Sequence, residues 1–221
     1  MGAKCSDGFA LIADRKMTSS NGEVSFKYKI IGDVEHFLIG YIGDSEMFDI
    51  FRTYTTREVM IEGDIAKRSN LENLLLKVSK SIKRFNELGC SPFKVLMANH
   101  RGDKSVLYHI AADGVWDEIT NYKAIGSGST IADNVCCALE HNNITMKDFT
   151  RHAYLAIDYM DLYCPGLGVG IEPKGVPDIK YLDYDKVWDE KASEEDVKEY
   201  KKYSAEKLEG LRQSFDTILR E

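Results

Sequence analysis

The sequence predicts an α+β domain arranged as a four-layer αββα sandwich, and three observations lead there. Short β-rich runs dominate the first forty residues; the apolar period then changes from two to about 3.6; and strands and helices recur in segregated blocks instead of alternating. Segregated blocks build antiparallel sheets with helices over their outer faces, whereas strict alternation builds a parallel sheet.

Gly2 to Cys5, Phe9 to Ala13, Ser25 to Ile31 and Phe37 to Ile42 read as strands, and Ser6-Asp7-Gly8 is the hairpin turn between the first two. Helical spacing begins at Met47, Phe48, Phe51, Tyr54 and Val59, and repeats at Leu71, Leu74, Leu75, Val78, Ile82 and Phe85. After Gly89-Cys90-Ser91-Pro92 come strands at Lys94 to Asn99, Ser105 to Ile110 and Val115 to Thr120, separated by turns at Arg101-Gly102-Asp103 and Ala112-Asp113-Gly114. Two more helices are expected over Ser129 to Glu140 and Met146 to Leu162, the second capped by Thr145 with Asp148 three residues on. Strands at Gly168 to Ile171 and Ile179 to Leu182 close the body, expected to span residues 1–190. Val197, Tyr200, Leu208, Leu211, Phe215 and Ile218 then mark one long amphipathic helix within residues 191–221, either covering the sandwich or reaching a neighbouring subunit.

Composition narrows the function. A chain of 221 residues fits a single core, since cores stop growing near roughly 250 residues. The net charge of −7 argues against nucleic acid and against anionic membranes, both of which need clustered Lys and Arg. No apolar run is long enough to span a bilayer, so the chain reads as soluble, and its cysteine pattern makes a cytoplasmic protein the expectation. Cys5, Cys90, Cys136, Cys137 and Cys164 are odd in number and show no CxxC spacing, which suits a reducing compartment. His36, His100, His109, His141 and His152 are scattered without ligand spacing, and no metal or other cofactor is expected. Gly166-Leu167-Gly168-Val169-Gly170 does not open a helix after a strand, so it is not a dinucleotide loop. The opening Gly2 to Ser6 also fits a myristoylation pattern, although the same residues start a strand.

Several stretches in collinear order resemble proteasome β-type subunits of the N-terminal-nucleophile hydrolase superfamily, over about residues 2 to 171. They are Asp7 to Arg15 with its Asp-Gly turn and closing Ala-Asp-Arg, Lys29-Ile30, Gly40-Tyr41-Ile42-Gly43-Asp44, Tyr108 through Ser129 with Ala-Ile-Gly-Ser-Gly-Ser, and Asp161 to Gly166. The resemblance implies the αββα fold, self-assembly into a homo-oligomer or ring, and hydrolysis of peptide bonds in peptides or unfolded proteins. It also implies a chemistry in which an N-terminal Thr attacks the carbonyl and its own α-amine, titrating near 8, handles the proton.

By family spacing that Thr falls about three residues before Met1, and neither Met1 nor Gly2 has a nucleophilic side chain. Two expectations therefore stand: a peptidase whose nucleophile lies upstream of Met1, or a structural ring subunit without catalysis. A peptide ligase using the same acyl-enzyme is a third. The resemblance assigns Asp14 to hold a lysine, Lys29 to lower the pKa of nucleophile and amine, and the Gly40 amide to an oxyanion hole. Ser127 stands near the α-amine, and Asp161 and Cys164 form the closing corner, where the family usually has Ser in place of Cys164. A thiol donates more weakly than a hydroxyl, which weakens any proton relay through that corner. The residues alone leave other roles open: a plain ion pair for Asp14 and Lys29, packing for Gly40, and helix caps for Ser127 and Asp161. Lys27 has the same strand parity as Lys29 and competes for its place.

Overall fold

The computed structural model describes residues 1–18, 22–34, 37–43, 50, 52–53, 57, 68–87, 94–101, 104–137, 144–171, 175–185 and 190–218. The opening strands are β1 (Gly2–Lys4) and β2 (Gly8–Ala13), followed by β3 (Lys16–Thr18), β4 (Val24–Phe26), β5 (Ile30–Val34) and β6 (Phe37–Ile42). Helix α1 (Arg68–Glu87) leads to β7 (Lys94–Arg101), β8 (Lys104–Ile110), β9 (Trp116–Ile119) and β10 (Tyr122–Lys123). Then come α2 (Ser129–Cys136), α3 (Met146–Tyr163), a short 3-10 turn at Pro165–Leu167, β11 (Asp178–Asp183), β12 (Glu190–Lys191) and α4 (Glu194–Ile218).

These strands form two five-stranded antiparallel sheets, ordered β10-β1-β2-β11-β12 and β5-β6-β7-β8-β9, beside a small β3-β4 ribbon. Side-chain alternation explains how they stack. Phe9 and Leu11 meet Ile30, Leu38 and Leu107 between the sheets, while Ala10 and Ile12 point the other way, to α2 and α3. On β6, Leu38 faces inward and Phe37, Ile39 and Tyr41 face α1, where Leu75, Val78 and Ile82 cover them. Both faces of each sheet are thus buried, so the strands read as continuous apolar runs, and the four αββα layers follow. Each fully buried Phe or Leu contributes about 1.5–3 kcal/mol relative to exposure.

Local chemistry sets the boundaries. Thr145 caps α3, its Oγ1 accepting the Asp148 amide at 3.1 Å. The Ala112-Asp113-Gly114 turn closes β8 on β9 through Gly114 N–H to Ala111 O at 2.9 Å. Gly114 has φ +83°, and a Cβ there would lie 2.9 Å from the Ser79 carbonyl of α1, so glycine serves both turn and packing.

Several expectations need correction. The strand expected over Ser25 to Ile31 is two strands, β4 and β5, because Lys27–Lys29 cross from the ribbon to the second sheet. Gly168 to Ile171 forms no strand: the 3-10 turn leads into it, Gly168 is left-handed, and the Gly170 carbonyl accepts the Arg15 and Lys16 amides, both at 3.1 Å. The sequence pattern does not predict strands β3, β10 and β12; at three, two and two residues they carry too little pattern to read. The helix expected around Met47 to Val59 lies, apart from Ile50, Arg52, Thr53 and Arg57, outside the described residues, as does the turn at Gly102-Asp103.

Helix α4 lies along α3. Tyr200 and Ser204 are fully buried, the Tyr200 and Tyr181 hydroxyls share a 2.6 Å hydrogen bond, and Tyr203 bonds His152 at 3.0 Å. Lys147 pairs with Asp196 at 2.6 Å, and Phe215 stacks at 5.0 Å from Tyr159. Ser193 and Asp196 cap its start reciprocally, with the Asp196 amide donating to Ser193 Oγ at 3.1 Å. No helix among the described residues is long and apolar enough to cross a membrane.

Candidate active site

A cavity of about 390 Å³ opens where the ends of β2, β5 and β6 approach the loop before α2 and the turn after α3. Its wall includes Met1, Asp14, Lys16, Met17, Lys29, Gly40 and Ser127. Asp14 follows the last residue of β2, and Lys29 precedes the first residue of β5. Both therefore sit at the cavity edge, where the strands end, and are anchored by the ladders beside them.

Lys29 Nζ donates to both Asp14 oxygens at 2.9 Å and to the Lys16 carbonyl at 2.6 Å. Asp14 also accepts the Lys16 amide at 3.1 Å. The side chains are 12% and 19% exposed, enough burial for removal of one partner to strand the other charge. Lys27 does not line the cavity, and its amide donates to the Arg15 carbonyl in the neighbouring segment.

The Met1 amine donates to the Ile12 carbonyl at 2.7 Å, prolonging the β1–β2 ladder toward this pair. Burial lowers its pKa to about 6, and the nearby Asp14 carboxylate opposes that shift only in part.

The other expected residues divide into two groups. Gly40 lines the cavity, and a Cβ there would come within 3.1 Å of Leu11 Cδ2, so close packing asks for glycine at that position too. Ser127 also lines it, its hydroxyl donating to the Leu167 carbonyl at 2.6 Å and thereby tying the loop before α2 to the turn after α3. Asp161 stands behind the wall: its Oδ2 accepts the Ile171 amide at 3.4 Å, and its Oδ1 would lie 2.9 Å from a Cβ on Gly170. Cys164 ends α3, its amide donating to the Met160 carbonyl at 3.0 Å, and does not line the cavity. Sequence reasoning missed Lys16, which supplies a carbonyl to Lys29 and side-chain wall to the cavity; adjacency to Asp14 was the only available signal. It also missed the Met17–Tyr41 contact, 3.7 Å from hydroxyl to sulfur, at the apolar side.

A family model described as proteasome subunit matches residues 1–165. The chain belongs to the proteasome subunit family. Among solved structures, the proteasome-subunit fold seen here is similar to Anbu (ancestral beta-subunit) from Yersinia bercovieri, with a TM-score of 0.75 at 14% identity over 97% of this chain and 95% of that one. It is similar also to Anbu from Hyphomicrobium sp. strain MC1, with a TM-score of 0.73 at 13% identity over the same shares, 97% and 95%. At these identities the likeness concerns the fold. Among curated proteins no sequence matches.

Proposed function

We propose that this proteasome-subunit protein is a threonine-type peptidase of the N-terminal-nucleophile class, acting on peptides or unfolded proteins, with its nucleophile about three residues before Met1. One observation carries the reading: the start of β1 runs into the cavity walled by the Lys29–Asp14 pair. Gly2 pairs with Leu11 and Met1 already bonds Ile12, so a strand prolonged backwards passes Ala13 and Asp14. Three further residues reach about 10 Å. The third shares the parity of Gly2, the face that meets Leu11 and Leu96 between the sheets.

In that position a hydroxyl attacks the scissile carbonyl and gives its proton to the α-amine. Burial at this end of the sheet lowers the Met1 amine to about 6, and an α-amine further along the same strand acts as the base in its neutral form. The Lys29 ammonium, held by Asp14 and the Lys16 carbonyl, favours the alkoxide electrostatically, and the Gly40 amide is the candidate oxyanion donor. The amine returns the proton to the leaving nitrogen; water then attacks the ester, releasing the second peptide and restoring the hydroxyl.

A non-catalytic, ring-forming subunit is the second reading, favoured by the hydrogen bond that already ties the Met1 amine to the Ile12 carbonyl. Either way we place the protein in the cytoplasm as a homo-oligomer. Leu76 on α1, with Val115 and Trp116 beside the Gly114 turn, are 47%, 57% and 39% exposed and offer an apolar face for a neighbouring subunit. Light scattering on purified protein tests the assembly, and a monomer refutes it. Intact mass of native protein, with and without a peptide epoxyketone that needs both hydroxyl and free α-amine, tests the chemistry. A Thr terminus that gains one inhibitor mass supports the peptidase; a native terminus at Met1 or Gly2 with no adduct supports the ring subunit.

A further inference from the structure

Asp178 opens β11 in an otherwise apolar setting and is only 2% exposed. A carboxylate so buried is costly unless it is hydrogen-bonded and paired. It accepts the Ile30 amide at 2.7 Å across a sequence separation of 148 residues, from one sheet to the other. Lys180, two residues on and on the same face of β11, is 4% exposed; its charge and this hydrogen bond resist the upward push of burial on the Asp178 pKa. Asp178 also pairs in register with Ala13, the residue before Asp14.

The peptide group linking Lys29 to Ile30 is therefore gripped at both ends. Its carbonyl accepts the Tyr41 amide at 3.3 Å from the second sheet, and its N–H donates to Asp178 of the first. Gripping that peptide fixes the direction in which Lys29 leaves the backbone, and so the approach of Nζ to Asp14 and the Lys16 carbonyl.

We propose that Asp178 is a positioning residue for Lys29, acting through the hydrogen bond to the Ile30 amide. The proposal rests on the reading above only for what Lys29 does, because its test measures Lys29 itself and needs no turnover. The full chain is labelled with ¹⁵N at lysine Nζ, the Lys29 ammonium signal is assigned through Lys29→Arg, and its hydrogen exchange is compared across variants. Asp178→Ala should speed that exchange roughly tenfold or more, the factor expected for loss of hydrogen bonds to a charged group. Asp178→Asn keeps an oxygen for the Ile30 amide and should stay near the wild-type rate even though the chain loses stability. Asp158→Asn, at another carboxylate sheltered on α3, should leave the signal alone. If the alanine chain does not fold by circular dichroism, Asp178→Ser, too short to reach the amide, takes its place. An unchanged Lys29 signal in the Ala or Ser variant overturns the proposal, and so does equal loss in the Asn variant, which would assign the effect to charge.

Discussion

Replacing Asp14 with Ala leaves the Lys29 ammonium, 12% exposed, with the Lys16 carbonyl as its remaining partner among the bonds that define the site. Removing one member of a buried pair costs about 3–5 kcal/mol, and with Asp14 itself 19% exposed the lower end applies, about 3 kcal/mol. Loss of the Lys16 amide bond adds about 1 kcal/mol. With a urea m-value near 2.5 kcal/mol per M, the total of about 4 kcal/mol lowers the midpoint by roughly 1.5 M. Lys29→Met removes the stranded charge, so the double variant should be less destabilised than the sum of the singles by about 2–3 kcal/mol. Lys27→Met, at a half-buried lysine outside the cavity wall, should shift the midpoint by less than Lys29→Met does. Additive effects at Asp14 and Lys29, or a Lys27 variant as damaging as the Lys29 variant, would refute the pairing that defines the site.

Two further outcomes follow from burial. The Tyr181 and Tyr200 hydroxyls are hydrogen-bonded to each other, and burial raises the pKa of both above the usual 10. Above pH 10 the unfolded chain releases these protons while the native one keeps them, so stability is complete below pH 10 and falls as pH rises beyond it. Urea midpoints between pH 9 and 11 check this, and Tyr200→Phe should weaken the slope while costing about 1–2 kcal/mol at pH 8. Burial also raises Cys136 to about 12 and pushes Cys5 up, whereas Cys137 is exposed. Iodoacetamide at pH 8, followed by peptide mass mapping, should modify Cys137 and leave Cys5 and Cys136 protected by roughly a thousandfold.

Much of this architecture was legible because both faces of the central strands are buried, which writes Phe9 to Ile12 and Phe37 to Ile42 as unbroken apolar runs. Helix ends were legible where a side chain caps them, as at Thr145. Gly168 to Ile171 misled because β-prone residues there serve a loop whose Gly170 carbonyl supports Arg15 and Lys16. The docking of α4 is not legible in the sequence, because amphipathicity names a buried face without naming its partner; Tyr200 and Ser204 find α3 and β11 only in three dimensions. In the site, parity cannot separate Lys27 from Lys29, since residues two apart share a strand face, and in the structure both lie between β4 and β5. Asp178 escaped notice altogether: a lone Asp opening a strand looks like a surface residue until the Ile30 amide of the other sheet appears beside it.

The true first residue of the native protein, measured by intact mass and N-terminal sequencing, tests the proposed chemistry most directly. A Thr about three residues ahead of Met1, its α-amine free and its hydroxyl captured by an electrophile, is the predicted result. Peptide cleavage by protein that demonstrably starts at Met1 or Gly2 would contradict the mechanism built on Lys29 and Asp14.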